Sequence, residues 1–293
     1  MSEPFLKFKT RYILIDIILT ILVPAIIVAI ASAIAGFNTA EIGKNKILHF
    51  TIEPFLTICL FWLIFRRLKK NHVRSEYLIG NISPQDLPWM ILLIIFYGVE
   101  TLQHGLIKIT TFFANLINPS FVESELIKNS ARFSYHADSI SLSVLFYILV
   151  FISAVVLAPL TEEFLFRGIF LHRFSNKWGI TVGITISSLL FGLAHANLAA
   201  IGIGISFIAI SLTYIKFPSI LVPIAYHVMH NAIWFVSKIF TEISGIEDST
   251  DLTLKSLWFG LLNISFALPI LFYFLKWPDS VESLPYNVNS QQK

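Results

Sequence analysis

The sequence predicts an all-α integral membrane protein, a polytopic bundle of about eight transmembrane helices in one domain. Of its 293 residues, 56% are hydrophobic and only 13% are charged, whereas soluble domains carry about 25% charged residues. The mean hydropathy is +0.75. The formal net charge of +3 is too small to favour nucleic acid, so the expected surroundings are membrane lipid.

Eight apolar stretches are long enough, or nearly so, to cross a bilayer, which takes about 20 helical residues. The first follows Lys7, Lys9 and Arg11 but exceeds the roughly 7–15 apolar residues of a signal peptide, so it is interpreted as a retained transmembrane helix. The predicted spans are 12–37, 46–65, 88–117, 140–160, 179–196, 199–215, 218–239 and 255–276.

Basic residues are distributed unevenly between the predicted connections. With the N-terminus in the cytoplasm, the inner segments hold 14 Lys and Arg residues and the outer loops hold six, while Lys108 lies within a span. This bias follows the positive-inside rule and predicts that both termini are cytoplasmic. No internal repeat or long linker interrupts the chain, so residues 1–293 are expected to form a single membrane-embedded domain.

The first of three polar motifs lies just after Pro159, where the fourth span is expected to continue as helix toward Arg173. Proline frees a backbone carbonyl and kinks a helix, which can widen a cavity. Glu163 and Arg167 are one helical turn apart and can pair, whereas Glu162 is rotated by about 100° from Glu163. Ionisable residues in a span cost roughly 2.5–3.5 kcal/mol each. They indicate either a functional site or a structural ion pair.

The second motif places Phe191 and His195 one turn apart on the fifth span, and the third places His227 and Asn231 one turn apart on the seventh, with His230 close to the same face. Each motif alone is unspecific, but three on separate helices of one bundle predict a shared polar cavity. In the spans as drawn, the first motif lies near the inner end of its helix and His195 near the outer end. A shared cavity therefore requires the fifth helix to be displaced or broken.

Glu-Glu-x-x-x-Arg, Phe-x-x-x-His and His-x-x-x-Asn, in this order, resemble the motifs of the CAAX-processing and bacteriocin-processing (CPBP, Abi-like) family of intramembrane proteases. The resemblance covers a core of about residues 140–240, and every motif residue is present. It implies hydrolysis of a peptide bond within the membrane, with a peptide or lipidated-protein substrate. The catalytic set that it implies is Glu162, Glu163, Arg167, His195, His227 and Asn231.

By this resemblance, Glu162 is the general base that takes a proton from water, and His195 orients and polarises that water. Glu163 and Arg167 hold the first motif in place. His227 and Asn231 donate hydrogen bonds to the developing oxyanion; such donors are worth roughly 3–4 kcal/mol in other enzymes.

Two histidines and two glutamates are also an adequate zinc ligand set with a position left for water. The sequence leaves open a metal-activated and a glutamate-activated water, of which the second needs no cofactor. It contains no His-Glu-x-x-His, no Gly-x-Ser-x-Gly and no Gly-x-Gly-Asp, which argues against zincin-type, serine and aspartyl proteases. The Phe-, Ile-, Lys- and Asn-rich composition points to an AT-rich bacterium and favours peptide maturation or self-immunity. The oligomeric state is not specified by the sequence.

Two further readings belong to other classes of protein. A non-catalytic membrane scaffold could bind a peptide or a sensor-protein partner, although the complete set of motifs favours an enzyme. A transporter could use Glu100, His104 and Lys108, which recur at every fourth residue of the third span, as a proton path, but the absence of paired repeats disfavours it. These three residues are interpreted instead as a self-neutralising ladder on the helix surface. Asp16 is expected to reach the membrane interface.

Overall fold

The computed structural model describes residues 4–20, 22, 46–80, 85, 87–132, 140–244 and 252–291, without the side chains of residues 46, 47, 49 and 129–132. Within these ranges the protein is all-helical and contains no strand. The helices are α1 Pro4–Lys7, α2 11–20, α3 Lys46–Lys70, α4 Ser75–Ile79, α5 Trp89–Ile117, α6 Pro119–Arg132, α7 Ile140–Trp178, α8 Ile180–Ala194, α9 Ala200–Lys216, α10 Leu221–Ser244, α11 Leu254–Phe274 and α12 Pro285–Gln291.

Three of the described helices are long and apolar enough to cross a membrane, namely α5, α7 and α11. Helices α8 and α9 are apolar but shorter, with 15 and 17 residues. The expectation of a helical membrane protein is thereby confirmed, while the number of eight spans stays a prediction. Most of the first predicted span, residues 23–37, lies outside the described residues.

The helix of the fourth predicted span extends past residue 160. Helix α7 runs for 39 residues from Ile140 to Trp178, which confirms the expected continuation through the first motif. Two segments of α7 are π-helical, Phe151–Leu157 and Phe164–Leu171, and they flank the α-helical turns Ala158–Glu163. The two adjacent carboxylates therefore lie between two wider turns of one long helix.

A tight turn at Gly179, where φ is +89°, reverses the chain between α7 and α8. The two helices then pack closely, because a Cβ on Gly183 would lie 2.5 Å from the backbone nitrogen of Ser175. Glu162 lies seventeen residues before Gly179 and His195 sixteen residues after it, or about 25 Å from the turn in each case at 1.5 Å per residue. The antiparallel hairpin therefore places both residues at the same level, and no displaced or broken helix is needed.

Close backbone contacts also fix the neighbouring helices. At the crossing of α5 and α11, a Cβ on Gly105 would lie 2.7 Å from the carbonyl oxygen of Gly260. At the crossing of α8 and α9, a Cβ on Gly192 would lie 2.2 Å from the carbonyl oxygen of Ala200. Small residues that allow such approaches are typical of helix interfaces in membranes.

The two ends of the described chain meet around a buried histidine of α7. The rings of Phe5 and His172 stack with their centroids 4.8 Å apart, and Tyr286 meets Phe5 edge-on at 5.1 Å. His172 Nε2 and the hydroxyl of Tyr214 in α9 are 3.2 Å apart. Nothing local in the sequence joins residues 5, 172 and 286, and this aromatic cluster was not predicted.

Candidate active site

The centre of the site is Glu163, whose side chain is completely buried in α7. Its Oε1 accepts a hydrogen bond from Arg167 Nη1 at 3.1 Å, which confirms the pair predicted from their spacing. The same oxygen lies 2.9 Å from Nδ1 of His227 in α10. Because a carboxylate only accepts hydrogen bonds, Nδ1 carries the proton, and this contact sets both the tautomer and the orientation of the ring.

The buried guanidinium of Arg167 is also covered by aromatic rings. Its Cζ lies 4.8 Å from the ring centroid of Phe191 and 4.4 Å from that of Phe207. These two rings stack on each other with centroids 3.8 Å apart. Arg167 Nε and Nη2 have no hydrogen-bond partner within the described ranges, so Glu163 and the two ring faces balance its charge.

Glu162 differs from its neighbour because its side chain keeps 33% of its surface exposed. Its Oε2 lies 3.8 Å from Nε2 of His227, a distance too long for a direct hydrogen bond but one that a small bridging group can span. His227 therefore faces both carboxylates, with Nδ1 on Glu163 and Nε2 toward Glu162. Adjacent glutamates thus have different environments, one buried and paired, the other accessible.

The second motif enters the site mainly through Phe191. Its ring centroid lies 4.8 Å from that of His195 and 5.6 Å from that of His227. His195 Nδ1 lies 2.9 Å from the carbonyl oxygen of Phe191, at the C-terminal end of α8. No hydrogen bond joins His195 to Glu162 or His227 in the part of the chain that is described. The two histidines are connected only through the ring of Phe191, which each of them contacts.

Asn231 of α10 donates from Nδ2 to the carbonyl oxygen of Ala154 in α7, at 2.7 Å. Ala154 lies in the first π-helical segment, where carbonyls accept from the residue five positions later. That residue is Pro159, which has no N–H to donate. The carbonyl expected to be freed by proline is therefore taken up by Asn231.

Glu100 of α5 forms a second polar centre that the sequence interpretation missed. Its Oε1 accepts from the hydroxyl of Tyr226 at 2.6 Å and lies 2.7 Å from Nδ1 of His230. Glu100 thus has hydrogen-bond partners on α10, in addition to its interaction with His104 of the predicted ladder on the same helix. The spacing of His230 from His227, three residues on one helix, was the signal that could have pointed to it.

The side chains as arranged do not form a metal site. Glu163 Oε1 is already bound by Arg167 and His227. In the described ranges, no group of three or more His, Cys, Asp or Glu side chains is placed to hold a metal ion. The zinc ligand set considered from the sequence is therefore not assembled by this geometry.

Comparison with known proteins supports the family resemblance. Residues 144–233 match the family described as type II CAAX prenyl endopeptidase Rce1-like. This range holds all six residues of the predicted catalytic set and confirms the resemblance drawn from the three motifs. Together with the apolar helices, it identifies an integral membrane protein whose core resembles a family of proteases.

A protein of Escherichia coli described as an uncharacterized 24.3 kDa protein is 29% identical over 162 residues, which make up 53% of this chain and 62% of that protein. The match thus spans less than two thirds of the relative. No solved structure matches the chain.

Proposed function

We propose that the protein is an intramembrane endopeptidase in which Glu162 activates a water molecule for attack on a peptide bond. The observation that carries the proposal is the placement of His227 between two unlike carboxylates, with Nδ1 held by buried Glu163 and Nε2 3.8 Å from exposed Glu162. A rigidly oriented imidazole beside an accessible carboxylate is a common arrangement for activating water. The match of residues 144–233 to a CAAX endopeptidase family supports the same reaction class.

In this mechanism a water molecule hydrogen-bonds to Glu162 Oε2 and to the site histidines. Glu162 takes one proton as the water oxygen bonds to the carbonyl carbon of the peptide. The resulting tetrahedral oxyanion breaks its C–N bond, and the proton held by Glu162 passes to the departing amine. The products are a carboxylic acid and an amine, without a covalent enzyme intermediate.

The remaining residues of the site stabilise the oxyanion, orient the water molecule or hold the other side chains in position. Protonated at both nitrogens, the ring of His227 donates from Nε2 to the oxyanion while its Nδ1–H stays on Glu163. The free N–H of Asn231 supplies a second donor, because Ala154 fixes the orientation of the amide. His195 orients the water from the side of Phe191. Arg167 holds the carboxylate of Glu163 in place through its hydrogen bond from Nη1.

The substrate is a peptide or lipidated peptide that reaches the site within the membrane. The proposal includes the eight-span topology, cytoplasmic termini and a bacterial cell membrane, on the strength of the charge bias between predicted loops. A role in peptide maturation or bacteriocin self-immunity suits such an enzyme. The resemblance to an Escherichia coli protein is in keeping with a bacterial setting.

The test is peptidase activity of the wild type and Glu162→Gln, purified in detergent, against a library of amphipathic and lipidated peptides. Cleavage of a peptide by the wild type but not by the Glu162→Gln variant would support the proposal. A matched control, Glu76→Gln, removes an exposed carboxylate that pairs with Arg74 at the surface, and it should retain full activity. Cleavage by Glu162→Gln at the wild-type rate would rule out this mechanism. If the wild type binds peptides tightly but does not cleave them, the protein would instead be a non-catalytic membrane scaffold.

A further inference from the structure

Two polar pairs lie on neighbouring faces of α10. Tyr226 and His230 are one turn apart. His227 and Asn231 are also one turn apart, and each follows a member of the first pair by one residue, which is a rotation of about 100° on an α-helix. The second pair bonds to α7, whereas the first pair bonds to α5. Helix α10 is thus held from two directions.

A single carboxylate oxygen makes both bonds to α5. Glu100 Oε1 accepts from the hydroxyl of Tyr226 at 2.6 Å and lies 2.7 Å from Nδ1 of His230. The rings of Tyr226 and His230 are nearly parallel, with an angle of 8° between their planes. His104, one turn further along α5, also interacts with the charge of Glu100. The carboxylate is therefore oriented by its own helix and holds two positions of α10 that are one turn apart.

The packing of α10 is loose next to this contact. An apolar cavity of about 360 Å³ lies between α5, α9 and α10, lined by Phe96 and Val99 from α5 and by Tyr226 and Met229 from α10. Well-packed interiors have few voids larger than a water molecule. The rings of Phe96 and Tyr226 do meet, with centroids 4.9 Å apart, but a ring contact can slide. The directional hydrogen bonds to Glu100 are left to resist a roll of α10 on this side.

A small roll of α10 is enough to disturb the proposed site. Side chains reach about 5–6 Å from a helix axis, so a roll of about 10° moves an atom at that radius by about 1 Å. A misplacement of 1 Å can slow an enzymatic reaction roughly a hundredfold. Nε2 of His227 lies 3.8 Å from Oε2 of Glu162, and this gap must stay narrow enough for one water molecule to contact both side chains.

A contact that only joined α5 to α10 would need no charge. Ionisable side chains are costly in a membrane span, and apolar residues of similar volume often hold a buried contact as well as an ion pair does. Apolar packing does not supply direction. We propose that Glu100 is a positioning residue of the peptidase site, which fixes the rotation of α10 and thereby the approach of His227 to Glu162. The inference rests on the proposed function and adds to it a residue outside the three motifs.

The experiment compares kcat and KM for a peptide that the wild type cleaves. Glu100→Ala should lower kcat by about tenfold or more and leave KM within about twofold, since no group assigned to the substrate is removed. Glu100→Gln should keep most of the activity, because its carbonyl oxygen can still accept from both donors. Asp16→Asn, which weakens the contact of α2 with α3 outside the site, is the control for lost stability and should leave both constants unchanged.

A second measurement does not depend on peptidase activity. Nitrogen NMR of the full-length protein with labelled histidine reports which ring nitrogen of His227 carries the proton, and His227→Gln assigns the signal. In the wild type the proton should be on Nδ1, which faces Glu163. Glu100→Ala should shift the signal toward a mixture of the two tautomers, whereas Asp16→Asn should leave it in place.

Unchanged kcat in Glu100→Ala would overturn the inference, as would a rise in KM at constant kcat or an equal fall of kcat in Asp16→Asn. So would a His227 signal that Glu100→Ala leaves unchanged, even in a protein that cleaves no peptide. A shifted signal without any wild-type cleavage would reject the proposed function and retain the positioning by Glu100.

A further variant serves if Glu100→Ala does not accumulate. The triple variant Glu100→Met, Tyr226→Phe, His230→Leu replaces the whole polar contact with apolar side chains and leaves none of the three polar groups unpaired. It should fold and show the same fall in kcat and the same shift of the His227 signal. Wild-type values of both would count against Glu100 as a positioning residue.

Discussion

Asn231 and Ala154 are joined by a 2.7 Å hydrogen bond from a side-chain amide to a backbone carbonyl of another helix. The carbonyl is five residues before Pro159, within a π-helical turn in which the proline cannot supply the expected donor. Helix α10 is thus held to α7 at the point where α7 has an unfilled backbone acceptor. The first polar motif begins at Glu162, three residues after Pro159.

Pro159→Ala should therefore stabilise the protein and impair the proposed activity. Alanine restores an N–H that competes for the Ala154 carbonyl, and it removes a residue that disfavours helix interiors by roughly 3 kcal/mol. Asn231 would lose its fixed partner, and peptide cleavage should fall at least tenfold while the melting temperature rises. Asn231→Ala is the companion variant, and it should lower both the rate of peptide cleavage and the melting temperature. Unchanged peptide cleavage by the Pro159→Ala variant would show that the hydrogen bond between Asn231 and Ala154 is not needed for catalysis.

The buried pair of Glu163 and Arg167 should show strong coupling in a double-mutant cycle. Arg167→Met leaves the carboxylate of Glu163 buried with only His227, and Glu163→Gln leaves a buried guanidinium without its counter-charge. Removing one partner of a buried pair costs about 3–5 kcal/mol. The double variant should be less destabilised than the sum of the single variants, as measured by thermal unfolding in detergent.

The exposed pair of Arg74 and Glu76 is the control for this cycle, since both side chains are at least half exposed. Arg74→Met and Glu76→Gln should leave the melting temperature unchanged. Additive effects at Glu163 and Arg167 would mean that the two side chains do not depend on each other in the folded protein.

Gly105→Ala should weaken the contact between α5 and α11. The added methyl group would lie 2.7 Å from the backbone carbonyl of Gly260, and neither backbone can move without separating the helices. Overpacking of this kind costs roughly 1–3 kcal/mol. Gly168→Ala, whose nearest neighbour would be a flexible Ile220 methyl at 3.4 Å, should be tolerated. Equal melting temperatures of the two variants would contradict the importance of this crossing.

The ion pair of Asp16 and Arg67 should hold α2 against α3. Arg67 donates from Nε to Oδ2 of Asp16 at 2.5 Å and from Nη2 to Oδ1 at 2.7 Å. Asp16→Asn should cost about 1.5–3 kcal/mol of stability, as expected for a charge-assisted bond. Arg67→Lys should not restore the lost geometry, because an ammonium cannot bind both oxygens in the same way. Arg66→Lys, one residue earlier, is the control and should unfold as the wild type does.

Much of the candidate site could be predicted because its chemistry is local. The pair of Glu163 and Arg167 depends only on helical spacing, and Phe191 and His195 meet by the same rule. The rarity of ionisable residues in apolar helices led to the expectation that the three motifs meet, and contacts of Glu163 and Phe191 with His227 join them in the structure. The roles assigned to these residues in catalysis stay predictions.

The level of the motifs along the helices was not predictable from hydropathy alone. Hydropathy ended the fourth span at residue 160, and although the helix was expected to continue toward Arg173, its full length to Trp178 and the level at which it meets α8 came only from the structure. Cross-helix partners were also missed, since Asp16 and Arg67 are 51 positions apart and Glu100 and His230 are 130 apart. Such pairs depend on tertiary packing, and one sequence carries no local sign of them.

The two π-helical segments of α7 decide where the length of this helix matters to the site. Each wider turn holds more residues than an α-turn, so deleting one residue between 151 and 157 would let that stretch relax into a regular α-helix. Because a π-turn is an α-turn with one extra residue, the parts of α7 on either side would keep nearly the same relative orientation, and Glu162 would still face His227. A deletion scan should accordingly retain more cleavage at 151–157 than at 158–161, where a missing residue would turn Glu162 by about 100° relative to the preceding part of α7. The π-helical segments are thus the parts of this helix in which a change of length can be absorbed.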